Sequence, residues 1–448
     1  MGEASSAVIS LDQEKRLGQE WLRSFRAQTD INRDYLLQEY VENLVFRMAQ
    51  YSDIVDKNLD IIIVNNPRLN AFAVPGGIIG VNTGLFTYAE TEGQFSSVMA
   101  HELSHLSQRH FARSVAESQS NQMTTMAGIL AGILLAATAS GDAGLAMISA
   151  TQAASLESQL RYSRQNEQEA DRIGLQVMAN AGYDPSAMGA MFENMLRSSN
   201  FVGFQAPEYL RSHPLTESRV NDALNRARQY QQRFYPENPA YQLMRKRVEV
   251  QQSGLPAQAV RKFEAELESN NTALNKYGLA LAYKKAIRFQ DAEELARQLY
   301  ESDMSNQAFG LLYADLLNLT GNTQKSEEII RNYLQRRPES YALNMALAST
   351  LSHAGNFSES ANILRKQTLL RSNDPAVWYE YAEILGLAGQ ILELHKARAE
   401  YFMLVGAYDR AIRQLQFAKT EAAGNAIEMA ILDEKITRAA RLRSSSQF

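Results

Sequence analysis

Cysteine is absent from the 448 residues. That excludes disulfides, thiolate metal sites and cysteine nucleophiles together. Any metal must then be held by His, Asp or Glu, and the absence fits an oxidising compartment. Positive charge is not in surplus: 45 Lys and Arg face 50 Asp and Glu, a net charge of −5. No basic surface for nucleic acid follows from such a balance. Long apolar runs are also missing. Residues 126–139 are nearly free of polar groups, and residues 143–150 resume after Gly141-Asp142. The first run is rich in Gly and Ala and falls short of the ~20 residues that cross a bilayer. The expectation is a buried helical hairpin or a mobile flap near a site, in a protein not integral to the membrane. No secretory leader is visible. Met1-Gly2-Glu3-Ala4-Ser5-Ser6 formally fits an N-myristoylation pattern; a processed start, with a signal removed before Gly2, is the plainer expectation.

What is present suits a globular chain of two or three domains, with 45% hydrophobic and 21% charged residues. Residues 11–26 read as an amphipathic helix with Leu17, Trp21, Leu22 and Phe25 on one stripe. Asp30 or Asn32 is placed to cap the next helix, where Leu37, Tyr40, Val41, Leu44, Val45 and Met48 recur at steps of three and four. Residues 59–64 are a β-branched strand ended by Asn65-Asn66-Pro67. Two short strands follow around the turn Pro75-Gly76-Gly77, which predicts a small antiparallel sheet. Such a sheet either covers the next helix or offers an edge to an extended peptide.

That next helix, predicted over residues 94–112, carries His101-Glu102-Leu103-Ser104-His105. The spacing puts both imidazoles on one face, about 40° apart. Neutral imidazoles so placed can share a zinc ion, with Glu102 beside them to take a proton from a water on it. A catalytic zinc needs a third protein ligand. His110 is predicted to lie about 180° round the helix from His101 and to be an ordinary packing or surface histidine. The long metzincin pattern fails as well, since Gln108 and Phe111 stand where it needs glycine and histidine. In the predicted helix over residues 155–181, Glu167 and Asp171 share a face. One can bind the metal while the other accepts an imidazole N–H. Glu169 points about 160° from Asp171 and is not expected to join them. Gly182-Tyr183-Asp184-Pro185 ends this helix; another is expected over 186–197, and a polar one from Thr216 to about residue 234.

From residue 241 onward no strand signal remains. Gly321, Gly355 and Gly389 are spaced by 34, each between amphipathic helices; Gly254 lies 67 before Gly321 and Gly424 lies 35 after Gly389. That period marks tetratricopeptide helix pairs stacked into a solenoid, with an irregularity near Gly406-Ala407-Tyr408. His353 and His395 fall there and are expected on its surface.

The set Asn70-Ala71-Phe72-Ala73 with Pro75-Gly76-Gly77, His101-Glu102-x-x-His105 and Glu167-x-x-Ala170-Asp171 resembles the metallopeptidases typified by HtpX and the CAAX prenyl protease. With the repeat tail it resembles the beta-barrel assembly-enhancing proteases of the Gram-negative periplasm. The resemblance implies a mostly α fold with a small antiparallel sheet. A gluzincin-like metallopeptidase domain would occupy residues 31–235, after an N-terminal helix in 1–30, and a solenoid residues 240–448. It implies one zinc ion held by His101, His105 and Glu167, with Asp171 accepting the free N–H of a ligating imidazole and Glu102 as general base toward a zinc-bound water. It also singles out His213, in Ser212-His213-Pro214-Leu215, either as a transition-state donor or as an occupant of the zinc's water position. The implied role is a periplasmic endopeptidase and quality-control factor. It would act on misfolded or stalled outer-membrane proteins and dock on the barrel assembly machinery through its repeats. The alternative is a chaperone or docking scaffold with a latent peptidase site.

Overall fold

A computed structural model describes residues 9–117, 128, 130, 131, 134, 164–201, 208–231 and 233–445. Most of the apolar stretch at 126–150 and the start of the helix expected from 155 lie outside them. The fold class is mostly α with one small sheet, followed by helical repeats. The chain divides into two compact units. One takes residues to Asn32 and Tyr40–Asn238; the other takes Arg33–Glu39 together with the chain from Pro239 onward.

In the first unit, α1 (Leu11–Gln28) starts at a capping box: the Ser10 side chain accepts from Gln13 N, and Ser10 N donates to the Gln13 side chain at 2.8 Å. Its Trp21 and Phe25 stack at 4.7 Å, and Phe72 meets both rings edge-on. This aromatic knot, with Ile62, Val74 and Ile78, is the centre of the core. Leu130 and Leu134, from the apolar run, are buried in it too. Among the described residues no helix is long and apolar enough to cross a membrane. The next helix, α2 (Tyr35–Ala49), is capped by neither residue expected: Leu37 N donates to Asp34 Oδ1, while Asn32 bonds Asn65.

The sheet runs β1 (Asp60–Val64), β2 (Ala71–Val74) and β3 (Ile78–Asn82), in the order β1-β3-β2. The β2–β3 pair is antiparallel around Gly76 and Gly77, as expected. The sheet as a whole is mixed, because β1 pairs with β3 in parallel. The loop after Val64 carries the chain across before it returns, so β3 takes the centre and β1 and β2 lie outermost.

After the short α3 (Gly84–Tyr88) come α4 (Glu92–Ser107) and α5 (His110–Glu117). The single helix expected over 94–112 is therefore two, broken at Gln108-Arg109, where Arg109 has φ 52°. α6 (Arg164–Ala181) packs along α4; α7 (Ser186–Phe201), α8 (Glu208–Ser212) and α9 (Glu217–Ala227) complete the unit. α9 stops short of residue 234.

The second unit is a run of helices packed in sequence order: α10 (Pro239–Gln252), α11 (Pro256–Ser269), α12 (Ala273–Lys285), α13 (Phe289–Ser302), α14 (Gln307–Leu319), α15 (Thr323–Arg336), α16 (Tyr341–His353), α17 (Phe357–Leu370), α18 (Pro375–Leu387), α19 (Ile391–Leu404), α20 (Tyr408–Glu421) and α21 (Ala426–Ser445). Gly321, Gly355 and Gly389 hold φ of 90°, 78° and 71° where helices join. Thirty-four residues before Gly321, the same left-handed position falls on Ile287, with φ 62°. Arg33–Glu39 is built into this unit. Asp34 pairs with Arg247, Tyr35 bonds Glu380, and Glu39 accepts from Tyr341 N.

Candidate metal centre

α4 is buried from Gln94 to His105, so its two imidazoles face protein and not solvent. His101 Nε2 and His105 Nε2 lie 2.9 Å apart. α6 reaches them by packing along α4, with Gly174 facing the backbone of Ala100. That approach sets Glu167 within 3.5 Å of both Nε2 atoms. Asp171, one turn on, lies with Oδ1 2.9 Å from His101 Nδ1.

His213 follows α8 and turns inward. Its Nδ1 is 3.1 Å from Glu167 Oε1 and 3.3 Å from His101 Nε2, and its Nε2 is 3.5 Å from Glu102 Oε1. Tyr209, buried on α8, stacks on this imidazole at 4.7 Å. His101, His105, Glu167 and His213 thus bring four donor atoms within 4.8 Å of one another, all buried. His353 and His395 are not part of this group.

Arg219 belongs to no motif of the sequence, yet it is buried in the site. Its Nε and Nη2 donate to the two oxygens of Asp171 at 2.7 and 2.8 Å, and its Nη1 lies 2.8 Å from Glu167 Oε2 and donates to Pro214 O. One guanidinium therefore ties α6 to the loop that carries His213. The signal was available: Arg219 sits on the buried stripe Arg219, Val220, Ala223, Ala227 of α9, where a lone charge implies a buried partner.

His110 departs from expectation. The break after α4 turns it back toward the site, so it is fully buried, with Nδ1 2.8 Å from His105 Nδ1. Glu169, expected to stand apart, meets it there: its Oε2 is 3.2 Å from His110 Nε2 and accepts from Arg113 at 2.7 Å. Gln108 and Arg109 are ordinary helix formers, so no sequence feature marks the break.

The electrostatics follow from burial among opposite charges. Burial alone would depress His101, but its bonds to Asp171 and Glu167 outweigh this and raise it to about 10. His105, with burial and neighbouring imidazoles dominant, is held well below the usual range and is neutral. Burial would raise Glu167 and Asp171; for Glu167 the imidazoles of His213 and His101, and for Asp171 the Arg219 guanidinium and His101, reverse that and keep both ionised. Burial pushes His110 down to about 4.

This donor set fits a divalent cation. With each Nδ1 engaged elsewhere, the Nε2 atoms of His101 and His105 converge beside a carboxylate, an arrangement a cation relieves. Among the described residues neither oxygen of buried Glu102 has a hydrogen-bond partner, as suits a group that handles a proton of a bound water or substrate.

A helical core with this donor set falls in the class of metallopeptidases. Residues 36–227 match Peptidase family M48. The chain is 34% identical to a putative beta-barrel assembly-enhancing protease of Vibrio cholerae, over 70% of this chain and 66% of that protein. It is 30% identical to the beta-barrel assembly-enhancing protease of Yersinia pestis, over 99% of this chain and 91% of that one. A mitochondrial metalloendopeptidase of Schizosaccharomyces pombe is 28% identical over 47% of this chain and 60% of its own. The chain thus belongs to peptidase family M48, while spanning just under two thirds of the length of the Vibrio relative.

Proposed function

We propose that this protein is a zinc-dependent endopeptidase in which His101, His105 and Glu167 hold one zinc ion. The observation that carries the reading is the convergence of buried His101, His105, Glu167 and His213 beside the carboxylate of Glu102. Zinc, when bound, supplies Lewis acidity that brings a water's pKa to about 7. Glu102 accepts the proton and returns it to the leaving amine. Asp171, itself gripped by Arg219, fixes the ring of His101 through Nδ1.

His213 has two possible duties, and its place among the donor atoms favours one of them at rest. Its Nδ1, 3.1 Å from Glu167 Oε1 and 3.3 Å from His101 Nε2, is near enough to the other donors that it would serve as a fourth ligand, which supports a latent peptidase. Moved aside, the same imidazole becomes a donor to the reacting carbonyl. By likeness to relatives named for beta-barrel assembly, the substrates are unfolded or stalled outer-membrane proteins. The place of action is then the periplasm, and the repeats from residue 240 onward dock the assembly machinery. The catalytic domain is assigned to residues 31–235, of which Arg33–Glu39 folds with the other unit.

The test is metal content by elemental analysis together with casein cleavage. The parent is expected to hold one zinc per chain. Glu102→Gln should keep the zinc and lose at least about 100-fold in cleavage, the scale of general acid–base catalysis. His213→Ala should keep the zinc and cleave casein faster than the parent. A parent without zinc, or a Glu102→Gln protein as active as the parent, overturns the peptidase reading in favour of a scaffold. A slower His213→Ala overturns the latent state alone.

A further inference from the structure

We propose that His110 is the positioning residue for His105, holding its ring so that Nε2 faces the ion, through a relay that ends on Glu169. The inference rests on the reading that His101 and His105 are ligands. An imidazole that offers its Nε2 lone pair to a cation carries its proton on Nδ1. The Nδ1 of His105 faces the Nδ1 of His110 at 2.8 Å. One proton can occupy that line, so His105 donates and His110 accepts. The proton of His110 is then on Nε2, which faces Glu169 Oε2 at 3.2 Å. Glu169 has no proton to return; the same oxygen accepts from Arg113 Nη1. Every donor and acceptor along the relay points one way, and the reverse tautomer of His105 would aim an N–H at the cation.

The two ligands of α4 are thus oriented by different means. His101 leans on a carboxylate from α6, and His105 on an imidazole from α5. The second arrangement exists because of the helix break. Arg109 holds its left-handed φ of 52° while Nη2 donates to Ile9 O at 2.6 Å and Nε reaches Glu14 at 3.3 Å. An unbroken helix would carry His110 about 140° away from His105. The strained residue is therefore what delivers the partner imidazole.

The experiment measures zinc affinity of the purified full chain by competition with a chelator, and the visible absorption of the cobalt-substituted protein. His110→Leu should weaken zinc binding by about 10- to 100-fold, the usual effect of losing such a partner, and shift the cobalt bands. His110→Asn places an amide oxygen near the Nδ1 position and should bind within about threefold of the parent. Equal loss in both variants would show that His110 only fills space, and unchanged affinity in His110→Leu would remove it from the site; either overturns the proposal. If His110→Leu does not fold, Glu169→Ala at the relay's outer end decides: weaker binding supports the relay, parental binding overturns it. A parent that binds no zinc defeats the ligand reading itself, and is told apart because no variant is needed to see it.

Discussion

At the scale of single residues, the site is a contest between protons and a cation. His101 is the pivot. Its raised pKa of about 10 means that at neutral pH an arriving ion displaces a proton from Nε2. The sign follows: as pH falls, proton competition strengthens and metal binds less well. Apparent zinc affinity should rise about tenfold per pH unit from roughly pH 6 to 8, one proton being released per ion. Chelator competition at several pH values checks this, and a flat profile would mean that His101 is already neutral. His101, Glu102 and His105 were legible in the sequence because a helix turns their spacing directly into a shared face. Glu167 was legible for the same reason once Asp171 was seen four residues on. His110 was not: its role depends on one residue with an unusual backbone angle, and arginine is not the residue that advertises one. Arg219 was half legible, as a charge on an apolar stripe whose partners lie on another helix.

Elements are legible where periodicity acts and less so where long-range pairing does. The β2–β3 hairpin follows from Pro75-Gly76-Gly77. The parallel partner of β3 does not, since nothing local tells β1 which neighbour it will find or in which direction. In the repeats, the 34-residue period anticipates the left-handed turns at Gly321, Gly355 and Gly389. It also points to position 287, where the turn is made without glycine. A β-branched residue with φ 62° carries strain of roughly 1–2 kcal/mol. Ile287 is largely exposed, so its side chain returns little. Ile287→Gly should therefore stabilise the chain by about 1 kcal/mol, read as a higher denaturant midpoint. A lower midpoint would mean that the isoleucine packs in a way its exposure conceals.

At the scale of the whole molecule, two architectures are joined, and the sequence announces both. What it does not announce is that Arg33–Glu39, written in the chain beside the peptidase core, is folded into the other unit. The pairing of Asp34 with Arg247 and the bond from Tyr341 N to Glu39 span more than 200 positions, beyond any local signal. The glycine turns have one further consequence. A Cβ built at Gly321, Gly355, Gly389 or Gly424 meets nothing within 4 Å. These corners are held by backbone shape alone and make no demand on their surroundings. They are consequently interchangeable joints, and the tail can be shortened like a chain by removing one link. Excising residues 390–424, from just past Gly389 through Gly424 and including the left-handed Gly406 between them, takes out α19 and α20 and leaves the contacts of Arg33–Glu39 in place. The shortened protein should still melt in one cooperative helical transition, at a lower temperature because the packing of α18 on α19, α19 on α20 and α20 on α21 gives way to at most one new interface. Loss of that transition would show the links to be individually fitted rather than standard parts.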